Sequence, residues 1–281
     1  MTIETAAGPV IWRGMTRAEL DRAYNNGAAV PDSAAIVAGW TRQSEAFRAA
    51  HPEFLDLAYG PRIRNRLDVF RCGAAGAPLL VFIHGGYWQR NSKEAFACMA
   101  QGPLARGFDV ALVGYTLAPE VRLTEIVGEI GAAIDWLRRG GPAHGVATGK
   151  LVVSGWSAGG HLTAAMMGRP GVDAGLAISG VFDVEPCRLN YLNDALRLDD
   201  TEAEAMSPIR HLPSRSGPLV VAVGGRELPE LQRQSRDYAA ARESAGLPTC
   251  LLPLPEHDHF TVLDELMRPD GVLAASLAGL I

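Results

Sequence analysis

An α/β fold with a mostly parallel central sheet and helices on both faces is predicted by three features of the sequence. From residue 78 onward, short apolar and β-branched runs alternate with helical stretches, the order expected when helices connect parallel strands. The runs are apolar throughout, which is typical of strands buried on both faces. No internal repeat, low-complexity tract or linker interrupts the chain, so its 281 residues are predicted to form one domain, residues 1–281.

The predicted elements of this sheet follow one another along the chain. Apolar runs predict a helix at about 123–139 and strands at residues 79–83, 110–113, 151–153, 174–178, 219–223 and 249–252. The crossovers should be right-handed. The loops at the carboxyl ends of the strands should hold the functional site, as in other open α/β sheets.

The first part of the chain predicts a cover over this domain. Residues 12–50 have helical patterning, with Thr16 and Glu19 at the spacing of a capping box and a longer helix in the second half. Residues 54–59 and 66–71 then alternate apolar and polar side chains. This alternation predicts an antiparallel pair of strands with one face toward solvent.

A second excursion interrupts the repeat between the sixth and seventh strands. Residues 183–216 are polar and punctuated by prolines, which predicts a cap-like segment that shapes substrate access. Three residues of this segment are candidates for lining the pocket: Asn190, Tyr191 and Asn193. Asn and Tyr in an exposed loop are, however, more typical of turns and surfaces.

Composition and charge exclude several classes of protein. The net charge of −5 comes without a basic patch, so nucleic acid and anionic membranes are poor partners. No apolar run is long enough for a membrane span, and the start of the chain lacks the features of a signal peptide. A cytoplasmic protein with a small-molecule substrate is predicted, and a homodimer is left open. Scattered cysteines predict free thiols at positions Cys72, Cys98, Cys187 and Cys250.

The candidate nucleophile lies in the middle of the chain. The predicted strand at 151–153 leads into Gly155-Trp156-Ser157-Ala158-Gly159, and good helix formers follow. A strand, a G-x-S-x-G turn and a helix in that order predict a nucleophile elbow, in which small residues on either side allow a strained serine turn. Ser157 is therefore the predicted nucleophile.

The loop after the strand at 79–83 is the predicted oxyanion hole. It reads His84-Gly85-Gly86-Tyr87-Trp88, and the corresponding loop of such hydrolases supplies backbone N–H groups to the developing oxyanion. Gly85 and Gly86 are predicted donors together with Ala158 of the elbow. His84 is expected to brace the loop without titrating in catalysis. The predicted pocket walls are the aromatic residues Tyr87, Trp88 and Trp156.

The His-Gly-Gly-Tyr-Trp sequence resembles the kynurenine formamidase (arylformamidase) family of α/β-hydrolases. The similarity extends from about residue 12 to 268. It implies the α/β-hydrolase fold and hydrolysis of N-formyl-L-kynurenine to L-kynurenine and formate, a step of tryptophan catabolism. Further pieces that agree with the family are Tyr24-Asn25-Asn26, Tyr59-Gly60, Ser179-Gly180-Val181-Phe182-Asp183, Ser207-Pro208 and residues 228–235.

A triad of this fold also needs an acid and then a histidine, in that chain order. Glu227 follows the seventh predicted strand, at the position where the family usually carries Asp; Asp183 and Glu230 are the alternatives. His259 precedes Phe260 as in the family pattern and is the predicted base, whereas His257 is expected to brace the loop. The two histidines alone are not a zinc site, because no further ligand cluster accompanies them, and no metal or cofactor is predicted.

Three functions are compatible with these residues. The resemblance implies a formamidase that works through a formyl-serine intermediate. A broader carboxylesterase, or an amide or carbamate hydrolase, would use the same residues. The third alternative is a protein of this fold that binds a small ligand without turnover, which reactivity toward a fluorophosphonate probe would distinguish from the other two.

Overall fold

The structure, a computed structural model, describes residues 8–146 and 149–281. Within these residues one main sheet has eight strands: β1 (Leu57–Ala58), β2 (Arg66–Phe70), β3 (Leu79–Ile83), β4 (Asp109–Val113), β5 (Leu151–Trp156), β6 (Ala174–Ile178), β7 (Leu219–Gly224) and β8 (Thr249–Leu254). Their order across the sheet is β8-β7-β6-β5-β3-β4-β2-β1. The segments Val10–Trp12 and Met15–Thr16 pair separately as a short hairpin.

The strands that support the site run in the same direction. β3 to β8 pair in parallel, whereas β2 pairs antiparallel with both β4 and β1. The predicted α/β fold with a mostly parallel sheet is confirmed. Because parallel strands end at the same edge, the loops after β3, β5, β7 and β8 all reach one end of the sheet.

Helices cover the sheet and supply its cores. The α-helices are α1 (Arg17–Ala23), α2 (Asn26–Ala29), α3 (Ser33–Ala50), α4 (Gln101–Ala105), α5 (Leu123–Arg139), α6 (Ala158–Met166), α7 (Glu185–Arg188), α8 (Asn193–Leu196), α9 (Asp200–Ala205), α10 (Pro229–Ser244), α11 (Asp264–Met267) and α12 (Val272–Ser276). Short 3₁₀ helices span Lys93–Ala100, Gly141–His144, Pro208–Arg210, Thr261–Leu263 and Leu277–Leu280.

Successive residues of β3 point into different cores, as the two-residue period of a strand requires. Val81 and Ile83 join the apolar cluster that contains α5 and α6 side chains. Leu80 and Phe82 join the cluster on the other face, which contains Trp40 of α3. Both faces of the strand are buried, which explains why its sequence is apolar without alternation.

The N-terminal helices begin as their sequence predicts. Thr16 caps α1, and Glu19 reaches back to the Thr16 amide at 2.8 Å, so both halves of the capping box are present. The α3 helix ends at Ala50, the predicted boundary.

The strand pair before the parallel sheet differs from its prediction in two ways. β1 contains Leu57 and Ala58 alone, because Asp56 has a φ of 57° and leaves the extended conformation. β2 was expected to face solvent on one side, and this prediction is wrong. Asp68 of β2 is fully buried and accepts hydrogen bonds from Lys93 Nζ at 2.7 Å and Arg48 Nε at 2.9 Å.

Two expectations from composition concern cysteines and membrane spans. The free thiols predicted from the scattered cysteines are confirmed at Cys72, Cys98, Cys187 and Cys250. In the part of the chain that the structure describes, no helix has both the length and the apolar character needed to cross a bilayer. Residues 1–5, from which the absence of a signal peptide was predicted, lie outside the described residues.

Candidate active site

Ser157 lies in the turn between β5 and α6. Its backbone has φ 58° and ψ −115°, a conformation that residues other than glycine rarely adopt. The turn closes because two neighbours lack side chains: a Cβ on Gly155 would lie 2.4 Å from Gly159 O, and one on Gly159 would lie 1.9 Å from Ile83 O. The strand, turn and helix of a nucleophile elbow are thus all present.

The side chain of Ser157 meets the histidine predicted to be the base. His259, in the loop after β8, has its Nε2 3.1 Å from Ser157 Oγ. On its other side, His259 Nδ1 lies 2.6 Å from Glu227 Oε2, in the loop after β7. The Glu227 and His259 side chains are 0% and 4% exposed, so this chain of hydrogen bonds is screened from water. With Nδ1 donating to the carboxylate, Nε2 is free to accept the serine proton.

The second oxygen of Glu227 is held by the protein. Glu227 Oε1 accepts hydrogen bonds from Ser179 Oγ at 2.5 Å and from the Gly224 amide at 2.7 Å. Hydrogen bonds that hold both oxygens fix the orientation of the carboxylate and therefore of His259.

The two alternative acids are engaged elsewhere. Asp183 Oδ1 accepts hydrogen bonds from Arg210 and from Ser207 Oγ. Glu230 pairs with Arg233 at 2.8 Å; burial would raise the pKa of Glu230, but its hydrogen bonds and the charge of Arg233 together lower it. The structure brings neither carboxylate to His259.

Trp156 contacts the base as well as the nucleophile turn. Its Nε1 donates a hydrogen bond to the backbone oxygen of His259 at 2.7 Å, and the two rings have centroids 5.0 Å apart. Sequence reasoning treated Trp156 as a pocket wall and missed this contact. The residue before the nucleophile therefore holds the backbone of the residue predicted to deprotonate it.

His84 is packed inside the loop after β3. Its ring stacks on Tyr115 with centroids 4.3 Å apart, and Nδ1 lies 2.8 Å from Gly85 O. Complete burial lowers the pKa of His84 to about 4, because the charged form would lose its hydration. A neutral, stacked imidazole fits the expected role of a loop brace.

The rest of that loop turns sharply next to the serine. Gly86 has a φ of 119°, and a Cβ there would lie 2.4 Å from Arg90 O. Tyr87 and Trp88 follow with φ values of 50° and 60°. Gly86 lines the cavity described next, whereas Gly85 and Ala158, the other predicted amide donors, are buried and do not line it.

A cavity of about 480 Å³ opens at Ser157 and His259. This volume is in the range that accommodates a small organic ligand. Two predicted pocket residues, Tyr87 and Trp156, line it together with Phe260. The remaining lining residues are Asn26, Gly27, Ser33, Ala34, Val37, Ala38, Thr41, Gly86, Arg90 and Asn91.

Trp88, the third aromatic residue predicted for the pocket, does not line this cavity. Its side chain is fully buried, and Nε1 donates a hydrogen bond to His161 Nδ1 at 3.2 Å. The His161 ring donates in turn from Nε2 to Met206 O at 2.8 Å. The indole N–H finds its partner in the core, so the ring packs behind the loop and away from the serine.

Comparison with known proteins agrees with this geometry. The BD-FAE family model matches residues 67–179. A kynurenine formamidase of Danio rerio is 28% identical over 292 residues, which cover 96% of this chain and 98% of the relative. A kynurenine formamidase of Drosophila melanogaster is 29% identical over 235 residues, covering 76% and 77% of the two chains.

A crystal structure gives the same answer for the fold. A protein of Silicibacter sp. TM1040, whose assignment as a thioesterase is provisional, is 31% identical and superimposes with a TM-score of 0.82, covering 92% of this chain and 99% of that one. The chain is a homologue of kynurenine formamidases over most of its length and has the α/β-hydrolase fold. The resemblance predicted from the His-Gly-Gly-Tyr-Trp sequence is confirmed, and the protein is a hydrolase of this fold.

In this kynurenine formamidase homologue, one wall of the cavity comes from the N-terminal helices. The cavity is lined by residues of α2 and α3, namely Asn26, Gly27, Ser33, Ala34, Val37, Ala38 and Thr41. Sequence reasoning placed these helices over the domain and did not predict that they line the site. The one available signal was Tyr24-Asn25-Asn26, which was noted as part of the family resemblance.

Residues of the 183–216 excursion do not line the cavity of this homologue. Asn190 and Asn193 bond to backbone groups of their own segment, at Leu192 N and Leu198 N. Tyr191 contacts another segment, because its hydroxyl donates a hydrogen bond to Tyr24 O at 3.4 Å.

His257 lies outside the chain of hydrogen bonds that includes His259. Its Nδ1 is 3.0 Å from Thr261 O, and its Nε2 is 3.4 Å from Glu265. These contacts tie the loop after β8 to the helix that follows, as expected of a brace. Among the described residues, no group of three or more His, Cys, Asp or Glu side chains is arranged to hold a metal ion.

Proposed function

We propose that the protein is a serine hydrolase that cleaves an aryl formamide, with N-formyl-L-kynurenine as substrate and L-kynurenine and formate as products. The observation that carries this proposal is the hydrogen-bonded chain Ser157–His259–Glu227 at the wall of an aromatic-lined cavity. Homology to kynurenine formamidases over most of the chain supports the choice of substrate.

The first half of the reaction forms an acyl-enzyme. His259 Nε2 takes the proton of Ser157 Oγ while this oxygen attacks the formyl carbon. Glu227 stabilises the imidazolium that results. As the tetrahedral intermediate collapses, the C–N bond breaks, and the departing aryl amine takes the proton from His259. The products of this step are the free amine and a formyl ester on Ser157.

The second half releases formate. Water attacks the formyl ester while His259 takes one of its protons, and the Ser157 oxygen leaves with that proton restored. The oxyanion of each tetrahedral intermediate is stabilised by the N–H groups of Gly85, Gly86 and Ala158. Gly86 borders the cavity and carries no side chain between its amide and the substrate.

The cavity walls support an aromatic substrate. Tyr87, Trp156 and Phe260 line the same cavity as Ser157, and aromatic rings pack favourably on one another in offset or edge-to-face arrangements. An aryl amine also leaves more readily than an alkyl amine, so a formanilide suits a serine nucleophile. These features favour an aryl formamide over an aliphatic amide.

A second candidate is a broader esterase or thioesterase that uses the same residues. The cavity of about 480 Å³ has room for an acyl group larger than formyl. The solved relative with a provisional thioesterase assignment also covers nearly the whole chain. Under this alternative, the acyl group and not the leaving group would occupy the aromatic part of the cavity.

The deciding experiment compares kcat/KM for N-formyl-L-kynurenine with kcat/KM for p-nitrophenyl acetate and for an aryl thioester. A formamidase should prefer the formamide although its bond is intrinsically less reactive, because binding energy is used at the transition state. A preference for the ester or thioester would contradict the proposal in favour of the second candidate. Failure of Ser157 to react with a fluorophosphonate probe would remove both.

A further inference from the structure

The residues that line the cavity include a positive charge and no negative charge. Among its lining residues, Arg90 is the one with a permanent charge, and no carboxylate lines the cavity. Arg90 itself is exposed to solvent, so its positive charge can attract an anionic group as that group enters the cavity. The cavity is therefore suited to a ligand with a negative group some distance from Ser157.

Arg90 is also available for such a group. Within residues 8–146 and 149–281, no carboxylate lies within 4.0 Å of its guanidinium, unlike the neighbouring cation Lys93, which has three acidic partners. Burial raises the pKa of the nearby Tyr191 phenol, and the positive charge of Arg90 opposes that rise. A guanidinium with donors left over matches the planar, two-oxygen geometry of a carboxylate.

Asn26 provides a second, independent observation. Its side chain lines the cavity but is buried in all but 5% of its surface. The Tyr87 hydroxyl uses its proton to donate to Tyr24 O at 2.8 Å, so it must accept from Asn26 Nδ2 at 3.0 Å. This fixes the amide orientation and leaves Asn26 Oδ1 as a buried acceptor without a partner. Such an acceptor is costly unless a ligand donates to it.

We propose that Arg90 and Asn26 recognise the amino-acid end of the substrate. Arg90 pairs with the α-carboxylate, and Asn26 Oδ1 accepts a hydrogen bond from the α-ammonium group. The inference rests on the proposed function, because it takes the group held at Ser157 to be an aryl formamide. It assigns the substrate class as zwitterionic α-amino acids that carry this formamide.

The test uses three substrates that differ at the amino-acid end alone. They are N-formyl-L-kynurenine, its analogue without the α-amino group, and 2-formamidoacetophenone, which lacks both charged groups. In Arg90→Gln, the ratio of kcat/KM for N-formyl-L-kynurenine to that for the acetophenone should fall roughly 10- to 100-fold, mostly through KM, as expected for loss of a charged hydrogen bond. Arg90→Lys should recover part of the ratio, because the charge returns without the planar fork.

The matched control removes the same charge far from the cavity. The Arg139 side chain is 78% exposed on α5, and Arg139→Gln should leave the ratio unchanged. An unchanged ratio in Arg90→Gln, or an equal loss on all three substrates, would overturn the role of Arg90. Equal kcat/KM for the parent and the analogue without the amino group in the wild type would overturn the role of Asn26.

Binding of the product separates this inference from the proposed function. Calorimetric titration with L-kynurenine requires no turnover, and Arg90→Gln should weaken the affinity roughly 10-fold or more. Equal affinity in the two proteins would overturn the inference even if N-formyl-L-kynurenine is the substrate. If no formamide is turned over while Arg90→Gln still weakens L-kynurenine binding, the proposed function fails and the amino-acid site stands.

Discussion

Replacing Glu227 by glutamine removes a charge while nearly preserving the shape of the side chain. Glu227 Oε1 accepts hydrogen bonds from both Ser179 Oγ and Gly224 N, whereas Oε2 faces His259 Nδ1. The amide oxygen of glutamine should therefore take the Oε1 position, because an NH₂ group cannot accept these two bonds. The NH₂ group is then left facing His259 and donates to Nδ1.

This reversal changes the tautomer of His259. An Nδ1 that accepts a hydrogen bond leaves the ring proton on Nε2, which lies 3.1 Å from Ser157 Oγ and can no longer take the serine proton. We expect kcat to fall roughly 10⁴-fold, the loss that the same change causes in a chymotrypsin-type triad. At about 1.36 kcal/mol for each factor of ten, this loss is about 5.4 kcal/mol of transition-state stabilisation. The free energy of unfolding should change by about 1 kcal/mol or less, because the bonds to Oε1 remain.

The assay compares kcat with the free energy of unfolding in urea for Glu227→Gln and for Glu230→Gln. The control makes the same substitution three residues along the chain, at a carboxylate that pairs with Arg233. Its kcat should stay within a few-fold of wild type. A Glu227→Gln enzyme that keeps a tenth or more of kcat would refute the reasoning, and so would a folded Glu230→Gln enzyme with the larger loss.

The remaining predictions concern the nucleophile, the base and the response to pH. Ser157→Ala should lower kcat by roughly six orders of magnitude in a folded protein, because nucleophile and base act as a unit; circular dichroism and a rate assay check this. His259→Ala should be nearly inactive, whereas His257→Ala should keep most of its turnover, because the His257 ring contacts a loop carbonyl and Glu265. The activity of the wild-type enzyme should survive EDTA. Zinc-restored activity after chelation would contradict this. Burial lowers the pKa of His161 to about 4 from 6.5, so its stabilising effect is present above pH 6.5 and is lost as the pH falls toward 4. Unfolding in urea should show a loss of about 2 kcal/mol from this group between pH 7 and pH 5, a loss that His161→Gln should lack.

The central sheet was predictable because the apolar pattern of each strand can be recognised within the strand's own sequence. The apolar run at 79–83 and the helical pattern at 123–139 have the same bounds in the structure as in the sequence. A strand buried on both faces and a helix with one apolar face leave strong periodic signals that do not depend on distant residues. The same regularity placed Ser157 directly after a strand and Glu227 in the loop after the next strand but one, whereas His259 was chosen over His257 from the family pattern. Their catalytic roles, the single-domain boundaries and the cytoplasmic location stay predictions.

Features that depend on distant pairing were not predictable. The strand at 66–71 was predicted to have a solvent-facing side because Lys93 and Arg48, which pair with its Asp68, are distant in sequence. Trp88 was predicted to line the pocket because it follows the glycines of the oxyanion loop, but it bonds to His161, a core partner 73 residues away. In each case a polar atom finds a partner from another element, and such long-range compensation overrides the local pattern.

The two walls of the cavity come from different parts of the chain. Residues 26–41 supply one wall, and the segments around Gly86, Ser157 and His259 supply the other. Part of the substrate contact is thus supplied by a stretch of sequence that is separate from the hydrolytic residues. Chimeras that exchange the first fifty residues between relatives should change which molecules are turned over, while fluorophosphonate labelling of the serine stays constant. Such exchange offers evolution, and the protein engineer, a route to new substrates that leaves the hydrolytic residues untouched.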